Sequence, residues 1–477
     1  MKPRMTAREK VAQMVCADFR FALPDYERVT AAVKAGAGGV CLFGGSIFDV
    51  ASFVNGLQNF AKFPLLVASD YENGVGQQVS GATVLPSNMA VGATGSGELA
   101  ELKGRVTARE AKAFGVPWVL APVLDLQVRA DNPIVNTRSF GSDPALVARL
   151  GQAFAQGVRA EGAIACAKHF PGHGDVSLDS HLELPILDEP GPGLAPFRGD
   201  FDSIMVAHLV VRSLDPDRPA TLSSKVVDGL LRDELGYGGL VATDALMMGA
   251  ITKTVDAAEA VVRAAEAGND ILLYPADPLE AIEALVKALE SGRLNEGRID
   301  RTVARILDAK KRCGLNENRI ADPARVEEVV GCDEHLKAAD RIAEASVTML
   351  RGEFPVRKAR LEIVSDGGSD LTVFKGELER RGSVAKSADV GVIALSAMAR
   401  AFRGRIGIDP ELVAKARARL AGVKRVFAVS FGSPYVHRAV ESDAAMCVYD
   451  DGEASQRAAA RALVGEIPMP GTLPVSL

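Results

Sequence analysis

The chain has no excess of positive charge, no long apolar run, no paired cysteines and few histidines. A net charge of −6 and a pI near 5.7 exclude a general nucleic-acid binder and leave no basic face for anionic lipid. No run of 18 apolar residues occurs, so no membrane-spanning helix is expected. The first ten residues hold no apolar core of signal-peptide length. The six cysteines, Cys16, Cys41, Cys166, Cys313, Cys332 and Cys447, form no CxxC pair. Buried free thiols in a reducing compartment are the simplest account, and a cytoplasmic location follows as the expectation. What is present suits an ordinary folded protein: 48% hydrophobic and 24% charged residues, over a length of 477 that fits about two domains.

Short apolar runs alternate with helix-like stretches through the first two-thirds of the chain. Runs at 13–18, 38–43, 65–70, 119–124, 163–168, 203–208, 240–244 and 270–274 read as strands. Segments such as 98–114 and 144–161 carry leucine, alanine and valine at helical spacing. Eight such alternations predict an α/β fold, a (β/α)8 TIM-like barrel over residues 1–315, with a doubly wound open sheet as the alternative. Asp70, Asp125, Lys168, His208 and Asp244 each end or follow a strand candidate. That is the rim on which barrel active sites lie. Residues 316–340 read as a linker. Strand candidates at 361–365, 390–395, 425–430 and 446–449, with helical 410–421 and 453–463, predict a smaller α/β sandwich domain over 341–477.

The scarce histidines are concentrated. His169, His173 and His181 lie within one loop-like stretch from Lys168 to His181, where only His208, His335 and His437 remain elsewhere. Asp179 and His181 are spaced i, i+2, which puts both side chains on one side of an extended segment. A carboxylate beside an imidazole orients the ring and raises its basicity, so the pair can act as general acid and base. The bland alternative is a solvated polar loop. A zinc site is the other competitor, built from His169, His173 and His181 with Asp175 or Asp179. Pro171 and Gly172 oppose the helix that a His-x3-His pair needs, and the glutamate of that motif is missing. No metal and no cofactor is therefore expected. Asp244 ends an apolar run and reads either as a nucleophilic carboxylate or as a helix cap. Arg138, in the turn-rich stretch 132–144, reads either as a fork of donors for a polar substrate or as a surface ion pair.

Three segments together, Asn136-Thr137-Arg138-Ser139-Phe140-Gly141, Lys168 through His181, and Thr243-Asp244, resemble the β-N-acetylglucosaminidase branch of glycoside hydrolase family 3. The similarity continues through 292–315, 430–435 and 453–477. The resemblance implies a retaining, exo-acting β-N-acetylglucosaminidase whose partner is a carbohydrate, a terminal N-acetylglucosamine on peptidoglycan-derived or related glycosides. It implies Asp244 as nucleophile and His181 as acid/base held by Asp179. Asp70, Arg138, Lys168 and His169 match positions that bind sugar hydroxyls, and His173 is a further motif position. The family's loop reads DQEGGRVQR, where this chain has Asp70-Tyr71-Glu72-Asn73-Gly74-Val75-Gly76-Gln77-Gln78. Val75 and Gln78 replace arginines, a change expected to act on fine specificity. A neutral histidine does not repel an incoming anion, so a phosphorylase is a variant of the same chemistry. A sugar-binding protein without catalysis is the alternative of a different class.

Overall fold

The computed structural model describes residues 5–176, 178–180, 182–398 and 406–477. Ser177 and the predicted acid/base His181 lie outside the described residues. The first domain is built on eight parallel strands: β1 (Val15–Arg20), β2 (Gly39–Phe43), β3 (Leu66–Ser69), β4 (Trp118–Val119), β5 (Ile164–Phe170), β6 (Ser203–Val206), β7 (Leu240–Thr243) and β8 (Leu272–Leu273). Their order in the sheet is β8-β1-β2-β3-β4-β5-β6-β7. The bridge between Ala242 and Ile271, with Thr243 N donating to the Ile271 carbonyl at 2.9 Å, brings β7 to β8 and nearly closes the ring. This is the predicted barrel. β4 is shorter than the run 119–124 suggested. Pro122 has no N–H to donate, so residues beyond Val119 follow β5 irregularly, through Lys168 N to the Pro122 carbonyl at 3.1 Å.

Period-2 alternation assigns the two faces of the ring. Val40, Val67, Val119, Ala165, Ile204 and Val241 pack in the cluster that includes the helices α1 (Tyr26–Lys34), α2 (Val50–Phe60), α4 (Gly97–Ala113) and α5 (Pro144–Ala160). The alternate residues Cys41, Ala68, Trp118, Cys166, Met205 and Ala242 form a separate cluster. Two residues beyond Ala68, Cys166 and Ala242 on that same face come Asp70, Lys168 and Asp244. The strand parity alone therefore aims these three side chains to one place at the C-terminal mouth.

The stretch 316–340 carries helices α9 (Pro323–Val329) and the first part of α10 (Asp333–Ser346), both in contact with α4. The second domain holds β9 (Thr348–Arg351), β10 (Arg360–Ser365), β11 (Val390–Ala397), β12 (Arg425–Gly432) and β13 (Ala444–Cys447), in the order β9-β13-β12-β11-β10. β9 pairs antiparallel with β13 and the remaining pairs are parallel. Val392 and Ala394 face α11 (Thr372–Arg380) and α13 (Glu453–Leu463), whereas Ile393 and Leu395 face α12 (Pro410–Arg419). Helices on both faces explain the near-continuous apolar strands. Among the described residues no helix is long and apolar enough to cross a membrane.

Candidate active site

Lys168, on β5, donates from Nζ to Asp70 at 2.6 Å and to Glu72 at 2.7 Å. Glu72 is buried and also receives Arg138 in a two-pronged contact, Nε at 2.9 Å and Nη2 at 2.8 Å. The third arm of that guanidinium, Nη1, donates to the Ile134 carbonyl at 3.0 Å. Burial opposes every charge here. For Glu72 the two cations win and hold its carboxyl well below the usual carboxylate range. For Lys168 burial is likewise outweighed, by Asp70 and Glu72, and its pKa is raised. Both cations are thus charged and fixed in direction, which suits them to hold hydroxyl groups.

Asp125 anchors the histidine loop. Its carboxylate accepts from His169 Nδ1 at 2.6 Å, from His169 N at 3.3 Å and from His173 N at 2.6 Å. A ring whose Nδ1 faces a carboxylate carries its proton there, so Nε2 is the remaining polar atom of His169. His173 is buried with neither ring nitrogen bonded among the described residues, and burial pulls its pKa down to about 4. Asn132 clips this loop to the arginine loop. It donates to the His173 and Gly174 carbonyls at 3.0 and 3.2 Å and accepts from Ile134 and Val135 N.

Asp244 follows β7 and is partly exposed. Its Oδ1 accepts from Ala245 N at 2.7 Å, which fixes the plane of the carboxylate. His208 lies beneath it, fully buried between Thr221 Oγ1 at 2.7 Å and the Ala245 carbonyl at 2.9 Å, and so supports the turn. Asp70, Glu72, Arg138, Lys168, His169, His173 and Asp244 all line one cavity of about 630 Å³. Ser180 lines it too, and its neighbour Asp179 is buried. Gly368, Met398 and Asp451 of the second domain complete the wall.

Among the described residues no three histidine, cysteine or acidic side chains converge as a metal site. Asp175 is exposed, 4.0 Å from Arg129. The altered loop after Asp70 has a packing reason. Val75 is fully buried. A Cβ on Gly76 would stand 2.4 Å from the Ala82 carbonyl, so the loop lies tight against 82–84. Gln78, at the place of an expected arginine, lines the cavity and accepts from Gly44 N at 3.3 Å. Sequence reasoning gave Glu72 no role, although it is the hub of the network. Its partner Arg138 is 66 positions away, and no local pattern marks the pair.

The pattern of the glycosyl hydrolase family 3 N-terminal domain matches residues 6–309. The chain belongs to glycosyl hydrolase family 3. As a glycoside hydrolase it has several similar relatives. A β-N-acetylglucosaminidase/β-glucosidase of Cellulomonas fimi is 31% identical over 409 residues, covering 80% of this chain and 72% of that one. The β-hexosaminidase LpqI of Mycobacterium tuberculosis is 34% identical over 336 residues, 64% of this chain and 83% of that one. A solved family 3 β-N-acetylglucosaminidase from a Paenibacillus species superposes with a TM-score of 0.87 at 31% identity, covering 99% of both chains. A β-glucoside phosphorylase bound to a 2-fluoro sugar superposes at 0.88 and 25% identity, over 99% of this chain and 94% of that one.

Proposed function

We propose that the protein is an exo-acting, retaining β-N-acetylglucosaminidase that releases terminal N-acetylglucosamine from peptidoglycan-derived or related glycosides in the cytoplasm. The observation that carries this reading is the placement of Asp244 in one cavity with the Asp70–Lys168–Glu72–Arg138 network. A fixed carboxylate opposite fixed hydroxyl-binding groups is what displacement at a sugar's anomeric carbon requires. Asp244 attacks that carbon, and the bond to the leaving oxygen breaks as His181, oriented by Asp179, gives it a proton. The glycosyl-enzyme ester then yields to water, as His181 takes a proton from the attacking water and the bond to Asp244 breaks. Asp70, Arg138, Lys168 and His169 hold the sugar hydroxyls, and neutral His173 backs the loop. Six free cysteines, five of them buried, are consistent with a reducing compartment.

The fit to a phosphorylase over 99% of this chain favours one second reading, in which phosphate replaces water in the second step. The test is release of nitrophenol from an N-acetyl-β-glucosaminide and a β-glucoside, with and without phosphate. Preferential turnover of the N-acetylated substrate to free sugar supports the hydrolase. A phosphate-dependent rate yielding the sugar 1-phosphate establishes the second reading, and no turnover of either substrate refutes both.

A further inference from the structure

The second domain touches the barrel directly behind the arginine loop. Asp450, three residues after β13, accepts from Ser87 N at 3.1 Å, and Ser87 Oγ donates to the Tyr449 carbonyl at 3.1 Å. Tyr449 holds a left-handed backbone (φ 65°), and so does the buried Asn136 (φ 39°), whose Nδ2 donates to Ser433 Oγ at 3.1 Å. Non-glycine residues keep such conformations only where the surroundings enforce them. Ser87 caps the short helix α3 (Asn88–Thr94). That helix lies hard against the arginine loop: a Cβ on Gly92 would stand 1.7 Å from the Phe140 carbonyl.

The first residue of α3 is the link. Asn88 is fully buried, its Nδ2 donates to the Arg138 carbonyl at 2.8 Å, and its Oδ1 accepts from Lys103 Nζ at 2.7 Å. Lys103 projects from α4 and is itself fully buried. Its other acceptor is Asn73 Oδ1, at 3.4 Å, on a residue that lines the cavity. Among the described residues no carboxylate bonds to Lys103. Burial draws its pKa down to about 7 against the pull of Asp450 and Glu72. A buried ammonium is costly, and an apolar side chain would fill the space more cheaply. What the ammonium supplies is direction. In its charged form it only donates, so it claims the amide oxygen of Asn88, and the amide NH2 then faces the Arg138 carbonyl.

We propose that Lys103 and Asn88 are positioning residues for the sugar-binding Arg138, and that Asp450 ties the second domain to the same hydrogen-bond chain. Glu72 aims the guanidinium from the side-chain end, and Asn88 holds the backbone from the other. The inference rests on the reading of Arg138 as a sugar-binding residue.

The test compares Lys103→Met, Asn88→Asp, Asp450→Asn and Arg138→Lys in the full-length protein. The readouts are KM and kcat on the nitrophenyl N-acetyl-β-glucosaminide, the inhibition constant of N-acetylglucosamine, and the melting midpoint. Asn88→Asp keeps an acceptor for Lys103 but sets a carboxylate oxygen against the Arg138 carbonyl where the amide had donated. It should raise KM and the inhibition constant about tenfold, the effect of one misplaced hydrogen bond, whatever its melting midpoint. Lys103→Met should raise both in parallel, and Asp450→Asn less so, with kcat changing less than KM in each. If Arg138→Lys raises both constants while Asn88→Asp and Lys103→Met leave them within about twofold, the positioning role is wrong and Arg138 still binds sugar. A lowered melting midpoint with unchanged constants likewise makes Lys103 purely structural. Unchanged constants in Arg138→Lys itself would remove the sugar-binding reading and this inference together.

Discussion

Replacing Glu72 by glutamine removes one charge from the centre of the site and nearly nothing else. The carboxylate is 4% exposed and accepts three charge-assisted hydrogen bonds, two from Arg138 and one from Lys168. Breaking a buried pair from one side costs about 3–5 kcal/mol, because the partner charges stay buried. Glutamine retains one acceptor oxygen, and Lys168 retains Asp70 at 2.6 Å. The loss at neutral pH should therefore fall near the lower end, about 3 kcal/mol. The pH dependence gives the sign. The folded-state pKa of Glu72 is depressed well below 4.5, so its contribution is complete above that value. Below it the unfolded chain takes up a proton that the folded chain refuses. The gap between wild type and Glu72→Gln should then shrink by about 1.4 kcal/mol per pH unit until the folded carboxyl titrates. Denaturant unfolding followed at pH 7, 5 and 3.5 measures this. A gap under about 1 kcal/mol at pH 7, or one that is unchanged at pH 3.5, would refute the charged network.

His181→Ala should slow a natural disaccharide far more than a nitrophenyl glycoside, since a good leaving group needs little protonation; Asp179→Ala should show the same pattern more mildly. Equal slowing on both substrates would place the acid/base elsewhere. Dialysis against a chelator should leave the activity intact, because the histidine loop is read as a proton-transfer device. Activity lost to chelator and restored by zinc would make it a metal site instead.

Much of this site is visible in the sequence because it depends on local rules. The run 240–244 ends at Asp244, and the observed strand Leu240–Thr243 places that aspartate one step beyond it. The same parity carries Asp70 and Lys168 to the mouth. Arg138 and the histidine loop were found through motifs with fixed local spacing. Other features depend on pairings across long stretches of chain. Glu72 meets Arg138 across 66 residues, and Asp450 meets Ser87 across 363. The antiparallel edge strand Thr348–Arg351 also went unread, because its sequence sets Met349 and Leu350 side by side and the apolar Met349 is exposed, so no polar/apolar alternation marks it. One missed signal was available. Leu99, Lys103, Val106 and Glu110 follow helical spacing along a single face of α4, and all four are buried. Charged residues on an apolar stripe mark partners elsewhere, here Asn88 for Lys103 and Thr83 with His335 for Glu110.

The central claim is that Asp244 forms the bond to the sugar. The direct measurement is inactivation with an activated 2-deoxy-2-fluoro glycoside, followed by mass mapping of the labelled peptide. The fluorine slows breakdown of the glycosyl-enzyme, so the intermediate accumulates. The account predicts a single adduct on Asp244, absent from a folded Asp244→Asn variant that has lost almost all turnover. An adduct on Asp70, Glu72 or any other carboxylate would contradict it.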